Sequence, residues 1–262
     1  MSSLTGIEQW EAAEIERSII EAGRTPLSRL TMDEANVQRY LNPPPDTPYP
    51  LEYAFHLLGD ISGKTVLDYG CGNGENAIPL ARRGARVIGL DVSEALLNLA
   101  RTRMEINGLP DEATFVAASA HDVPLPDASV DVVFGIAILH HLDLDLAGRE
   151  IKRLLKPGGR AIFQEPVRNS NFVKTVRELI PYKSDDVSPY ERPLNDRELC
   201  RFARSFGGYR ARGFSLPFIN LAQVVPALRK HILGLYKVDG AILRQARFLD
   251  RFAGIRVFEV RN

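Results

Sequence analysis

A short apolar stretch running into glycines is the sharpest chemical signal in the sequence: Val66-Leu67-Asp68-Tyr69 is followed by Gly70-Cys71-Gly72-Asn73-Gly74. Glycines at alternate positions admit positive φ and let the backbone approach a bound molecule without a Cβ in the way, so this reads as a ligand loop between a strand and a helix. It differs from the dinucleotide fingerprint GxGxxG, because Glu75 stands where the third glycine would fall. Asp91 follows about twenty residues later, where a carboxylate, an acceptor-only group, can take both hydroxyls of a ribose. No Lys or Arg lies between Val66 and Leu80, which argues against a polyphosphate, while Asp68, Glu75 and Asp91 suit a cationic ligand. Cys71 reads as a small packing residue inside the loop.

These residues need a frame, and the surrounding pattern supplies one. Between about 64 and 166, apolar runs (Thr65 to Tyr69, Arg86 to Leu90, Thr114 to Ala117, Val130 to Ile136, Arg160 to Gln164) alternate with helical spacing (Asn76 to Arg83, Glu94 to Ile106, Leu144 to Leu155). This βαβα rhythm predicts an α/β fold with a parallel sheet, and Lys156-Pro157-Gly158-Gly159 ends the third helix. Ahead of it, helices are expected over Ile7 to Ala22 and Met32 to Tyr40, then a breaker from Asn42 to Pro50 and a further segment, Leu51 to Leu58. Beyond Val167 the pattern predicts helices near Phe172 to Ile180 and Asn195 to Phe206 and strands at Tyr209 to Ser215 and Ile255 to Val260. Two helical patterns, Asn220 to Leu235 and Asp239 to Phe252, lie between those strands, the second carrying Arg244, Arg247 and Arg251 on one face.

The sequence now resembles a class I S-adenosylmethionine-dependent methyltransferase of the small-molecule, type 11-like group. The resemblance rests on VLDYGCGNG (Val66 to Gly74), VIGLD (Val87 to Asp91), SAHDVPLPDASVDVVF (Ser119 to Phe134), ILHHL (Ile138 to Leu142) and LLKPGGRAIF (Leu154 to Phe163), and covers roughly residues 60 to 166. It implies a Rossmann-like, doubly wound, mostly parallel seven-stranded sheet with the last strand antiparallel. With the patterns above, this gives an N-terminal helical cap (1–60), a cofactor-binding core (61–217), a helical insertion (218–254) serving as lid, substrate or dimer surface, and a final core strand (255–262). The cofactor implied is S-adenosyl-L-methionine, with S-adenosyl-L-homocysteine as product. Carried over residue by residue, Asp68, Gly70 and Gly72 meet its methionine end, with Cys71 and Gly74 in the same loop. Asp91 takes the ribose, Val92 packs on the adenine, and the backbone of Gly135 or Ile136 completes the methionine pocket. The Ser119-Ala120 pair stands at the adenine edge, where relatives commonly carry Asp-Ala.

Methyl transfer is an in-line displacement that depends on alignment and exclusion of water, with a base assisting if the acceptor carries a proton. His140, His141 and Glu165, just past strand ends on the ligand side, are the candidates; His140 and His141 are adjacent and diverge, so no metal site is expected. The Asn/Asp-Pro-Pro-aromatic signature of base or glutamine methylation is replaced by Gly135-Ile136-Ala137-Ile138, which disfavours nucleic-acid substrates. A small organic acceptor methylated on O, N or C is therefore expected, the chain acting as monomer or homodimer. Two alternatives stand beside it: a quinone or lipid acceptor met at a membrane surface, and a non-catalytic scaffold of the same fold.

Composition agrees with a globular cytoplasmic protein. The 262 residues carry 33 basic and 33 acidic groups, and the two cysteines, Cys71 and Cys200, make no disulfide framework. The longest uncharged run, Gly213 to Leu228, is too short to span a bilayer, and the acidic start of the chain is unlike an export signal. The balanced charge hides an asymmetry: residues 1–170 hold 16 basic and 24 acidic groups, residues 171–262 hold 17 and 9. Such a basic region can serve nucleic acid, anionic lipid or an acidic small molecule, or simply solvate helix faces.

Overall fold

A computed structural model describes residues 6–169 and 192–262. The expected helix near Phe172 to Ile180 lies outside the described residues. Seven strands form one sheet in the order β3-β2-β1-β4-β5-β7-β6: β1 (Thr65–Tyr69), β2 (Arg86–Asp91), β3 (Ala113–Ala117), β4 (Val130–Ile136), β5 (Leu155–Pro166), β6 (Gly208–Phe214) and β7 (Ile255–Arg261). The first five run parallel, whereas β7 is antiparallel to both β5 and β6. The Rossmann-like sheet with its antiparallel final strand is thus as expected. β5 begins five residues before the expected Arg160, because Leu155 pairs with Val130 across a register shift and the KPGG segment is drawn into the ladder.

Period-two alternation along the buried strands divides the core between the two sheet faces. Leu67, Val133, Phe163 and Phe258 point to one face, where α6 (Leu144–Leu154) and α7 (Asp196–Ala203) cover them with Ile151, Leu199 and Phe202. Their neighbours Val66, Val132, Ile162 and Val257 point to the other, packed under α3 (Pro50–Leu57), α4 (Ala77–Arg82) and α5 (Glu94–Ile106). Ahead of α3 come α1 (Gly6–Arg24) and α2 (Glu34–Leu41), the latter capped by Asp33 through the Ala35 amide.

The region between β6 and β7 departs from expectation in detail. It holds α8 (Pro217–Val224), α9 (Pro226–Arg229), α10 (Ile232–Gln245) and a 3-10 turn over Arg247–Phe252. Pro226, which cannot donate to a preceding turn, divides the expected Asn220 to Leu235 helix. Ala246, at φ −121° and ψ 69°, stops α10, so Arg244, Arg247 and Arg251 do not share one α-helix. Asp239 of α10 is fully buried and accepts from the amides of Ser215 (3.0 Å) and Leu216 (2.7 Å), anchoring α10 to the end of β6.

Candidate active site

Strand β1 delivers Asp68 and the glycines to the C-terminal edge of the sheet, where open α/β folds bind their ligands. Gly70, Gly72 and Gly74 all have positive φ (74°, 51° and 78°). A Cβ on Gly70 would lie 2.6 Å from Ile138, and one on Gly74 would lie 2.8 Å from Ala100 Cβ, whereas one on Gly72 would meet nothing within 4 Å. Two of the glycines therefore serve packing as well as conformation, and Gly72 faces open space. The loop is tied to β2 by the Gly70 and Cys71 amides, both 2.8 Å from Leu90 O, and by the Gly72 amide, 2.9 Å from Asp91 Oδ2.

Asp91 also accepts from the Ser93 amide through Oδ1 at 2.9 Å, while Ser93 caps α5. Burial pushes the Asp91 carboxyl above its ordinary value, against the amide bonds from Ser93 and Gly72. Two amides leave further lone pairs on this carboxylate for a ligand's hydroxyls. Asp68 is different: it is 1% exposed, and neither carboxylate oxygen has a hydrogen-bond partner among the described residues. Burial, reinforced by Asp91, raises it to about 8. An orphaned buried carboxylate beside a glycine loop calls for a cation, and the ammonium of a bound amino acid moiety meets that need.

A cavity of about 220 Å³ opens above these groups. Gly70, Gly72, Asp91, Val92, Ala120 and His141, all expected site residues, line it, together with Ala137, Ile138 and His121. Asp68, Cys71 and Gly74, also expected, are not among its lining residues. Cys71 is buried, with its Sγ 2.9 Å from where a Gly89 Cβ would stand, and burial pushes its thiol up, consistent with packing. Gly135 and Ile136 do not line the cavity. A Cβ on Gly135 would strike Phe163 at 2.6 Å, so this glycine makes room for the core, and the wall is built by Ala137, at φ 56°, and Ile138.

The remaining wall is α1, which supplies Trp10, Glu11, Glu14, Arg17, Ser18 and Glu21. None of these six was among the expected residues, although their spacing of three and four places them on one polar helix face, a signal the sequence did contain. Ser119 Oγ, also outside the cavity lining, hydrogen-bonds Glu11 Oε1 and accepts from the His121 amide at 3.1 Å. A carboxylate thus stands beside Ser119 after all, brought from α1. Tyr69 secures the same segment by donating its hydroxyl to Ala120 O.

The two adjacent histidines go to different environments. His141 Nδ1 lies 3.5 Å from Glu14 Oε1, an ion-pair distance. Burial would raise Glu14, but hydrogen bonding and charge from His141 and Arg17 outweigh it and hold this carboxyl well below the usual range. His140 is buried, its Nδ1 2.8 Å from Oε2 of the fully buried Glu165. Glu165 Oε1 accepts from the amides of Ile138 (3.0 Å) and Leu139 (2.8 Å). Glu165 therefore braces the β4–α6 connection from inside the fold, and it does not line the cavity.

One further positioning group escaped the sequence reading. Arg103 of α5, 3% exposed, donates to Asn73 O at 2.9 Å and to Asn73 Oδ1 at 3.2 Å, and reaches Leu30 O at 3.4 Å. It backs the glycine loop with donors engaged by these carbonyls and, at 3.5 Å, by the Glu75 carboxylate.

The comparisons with known proteins agree with this geometry. The family model described as "Methyltransferase domain" matches residues 67–163. The 27-O-demethylrifamycin SV methyltransferase of Amycolatopsis mediterranei is 32% identical over 192 residues, covering 62% of this chain and 68% of that protein. The chain belongs to the class I S-adenosylmethionine-dependent methyltransferases. A ubiquinone biosynthesis O-methyltransferase from Alkalilimnicola ehrlichii is 34% identical over 168 residues (60% of this chain, 65% of that protein). Methyltransferase GfsG of Streptomyces halstedii is 41% identical over 111 residues, and the chain spans 40% of its length. The fold is shared, with TM-score 0.59 and 17% identity over 99% of this chain and 98% of the other, by geranyl diphosphate C-methyltransferase from Streptomyces coelicolor, solved with Mg2+, geranyl diphosphate and S-adenosyl-L-homocysteine.

Proposed function

We propose that this protein transfers a methyl group from S-adenosylmethionine to a nucleophile of a small organic acceptor in the cavity beneath α1. The observation that carries this is Asp68, a buried carboxylate without a partner among the described residues, beside the glycine loop and Asp91. The cofactor supplies an electrophilic methyl on a sulfonium, and the chain does the rest. Asp68 holds the ammonium, Asp91 the ribose hydroxyls, Val92 and Leu96 pack on the base, and Glu11 beside Ser119 supplies the carboxylate for its amino edge. Ala137 and Ile138 close the methionine side.

On the acceptor side, His141 faces the cavity and takes the acceptor's proton, with Glu14 stabilising the imidazolium that results. An oxygen nucleophile is favoured, because the ubiquinone relative is named an O-methyltransferase and the rifamycin relative a methyltransferase of 27-O-demethylrifamycin SV. A cavity of about 220 Å³ is smaller than the roughly 300–1,000 Å³ of pockets that hold drug-sized ligands. Cofactor and acceptor together therefore require α1 to shift outward and close again, excluding water from the transfer. No described helix is long and apolar enough to cross a membrane. The free thiols Cys71 and Cys200 suit a reducing cytoplasm, where we place the reaction.

The test is calorimetric titration with S-adenosylhomocysteine, followed by a screen of hydroxyl-bearing acceptors that detects released S-adenosylhomocysteine. One-to-one binding with turnover of a phenol or alcohol is the expected result. Absence of binding would overturn the assignment, and binding with turnover of amines only would overturn the choice of oxygen.

A further inference from the structure

The basic surplus of the C-terminal third gathers at one place in the fold. β6 is the sheet edge, and Arg210, Arg212 and Phe214 alternate onto its α3-covered face, where Tyr53 lies. Arg244, from the last turn of α10, and Arg247, from the 3-10 turn after it, approach the same face. Tyr53, Arg210, Arg212, Arg244, Arg247 and Asp250 line a groove of about 820 Å³. It shares no lining residue with the cofactor cavity. In the order β1-β4-β5-β7-β6, four strand spacings separate β6 from β1, about 19 Å.

What holds these guanidiniums is unusual for their number. Arg212 sits between two rings, 4.9 Å from the Tyr53 centroid and 4.7 Å from that of Phe214, and donates to Pro45 O at 3.1 Å. Arg244 donates to Asp46 O at 3.3 Å. Neither has a carboxylate partner among the described residues, and there Arg247 makes no hydrogen bond or ion pair at all. Arg210 shares the buried Glu259 with Arg261. Asp250, the carboxylate lining the groove, is engaged by Arg256. Burial and the neighbouring Arg244 hold the Arg212 guanidinium below its ordinary value. Like charges positioned by carbonyls and rings, with their forks not consumed by carboxylates, form a preorganised receptor for a multivalent oxyanion.

We propose that this groove is a second ligand site, which binds a phosphate-bearing molecule through Arg212, Arg244 and Arg247 with Arg210 at the rim. Its volume admits more than orthophosphate. The same chemistry fits a soluble phosphorylated compound or a phospholipid headgroup, and the experiment separates them.

The full-length protein is titrated calorimetrically with inorganic pyrophosphate at low ionic strength. The expected result is saturable one-to-one binding that weakens at least tenfold in the Arg244→Ala/Arg247→Ala double variant, with S-adenosylhomocysteine affinity unchanged. A control, Arg149→Ala/Arg204→Ala, removes the same charge from exposed positions elsewhere and should bind as wild type. Sedimentation with phosphatidylglycerol vesicles, with and without pyrophosphate as competitor, assigns the source: competed binding that the double variant loses identifies a headgroup, and pyrophosphate binding without vesicle binding identifies a soluble ligand. No saturable binding to either probe overturns the proposal. Equal weakening in the control does so too, since the effect would then be one of net charge.

Discussion

His140 and Glu165 form a pair inside the fold, Nδ1 to Oε2 at 2.8 Å, with Glu165 fully buried and its other oxygen accepting two backbone amides. Their neighbour His141, its ring tilted 40° against that of His140 with centroids 4.1 Å apart, faces the cavity and Glu14 instead. The two histidines are thereby given different work. Glu165→Ala should destabilise the protein by about 2–5 kcal/mol, because it strips the acceptor from the amides of Ile138 and Leu139 and from His140 Nδ1 inside the fold. Urea denaturation would read this, and a loss under 1 kcal/mol would show that the pair does not brace the loop.

His141→Ala should leave the denaturation midpoint nearly unchanged and lower kcat by roughly 10²–10⁴-fold if it is the base. Glu14→Gln, which removes the carboxylate 3.5 Å from His141 Nδ1, should lower kcat less than His141→Ala does. If His141→Ala raises only KM, the residue is a wall of the pocket.

If Asp68 holds the cofactor's ammonium as proposed, cofactor binding should depend on protons. With its pKa near 8 in the free protein, it is mostly protonated at pH 7 and must ionise to meet an ammonium. S-adenosylhomocysteine binding at pH 7 should therefore release close to one proton, visible as a buffer-dependent enthalpy in calorimetry, and Asp68→Asn should abolish the effect. For a carboxyl raised from 3.8 to about 8 on folding, the folded state holds the extra proton between those values. Stability of the ligand-free protein should accordingly fall as pH rises from about 4 to about 8, and Asp68→Asn should flatten that slope. Identical slopes in the two proteins would sink the assignment.

Asp91→Ala removes the acceptor for the Gly72 and Ser93 amides and, in the proposed complex, for the ribose hydroxyls. Cofactor affinity should weaken by about 1.5–3 kcal/mol, roughly ten- to a hundredfold, on calorimetric titration. Unchanged affinity would refute the role.

Gly72 and Gly74 should respond differently to alanine. At Gly74 the new methyl meets Ala100 at 2.8 Å in a left-handed backbone, so a loss of about 1–3 kcal/mol in stability is expected. At Gly72 there is space, so the fold should lose only about 1 kcal/mol while cofactor affinity falls, if the cofactor occupies the cavity that Gly72 lines as proposed. Equal stability losses at both positions would contradict the packing difference.

The sequence by itself determined the five parallel strands, the glycine loop and Asp91. Each is written in residues adjacent in the chain: alternating burial along Val66-Leu67 or Val132-Val133, and glycines two apart. The family resemblance supplied the antiparallel last strand, which local pattern does not carry. Where short-range cues competed, the reading slipped, as where Pro226 divides one helical pattern and Ala246 ends another. Only the tertiary structure decided which histidine faces the cavity and that α1 lies across it. It alone drew Arg210 and Arg212 together with Arg244 and Arg247. Glu11 meets Ser119 across 108 positions and His140 meets Glu165 across 25. The physical reason is that such contacts are set by which faces of separate elements must be buried against one another, and periodicity within any one element does not record its neighbour.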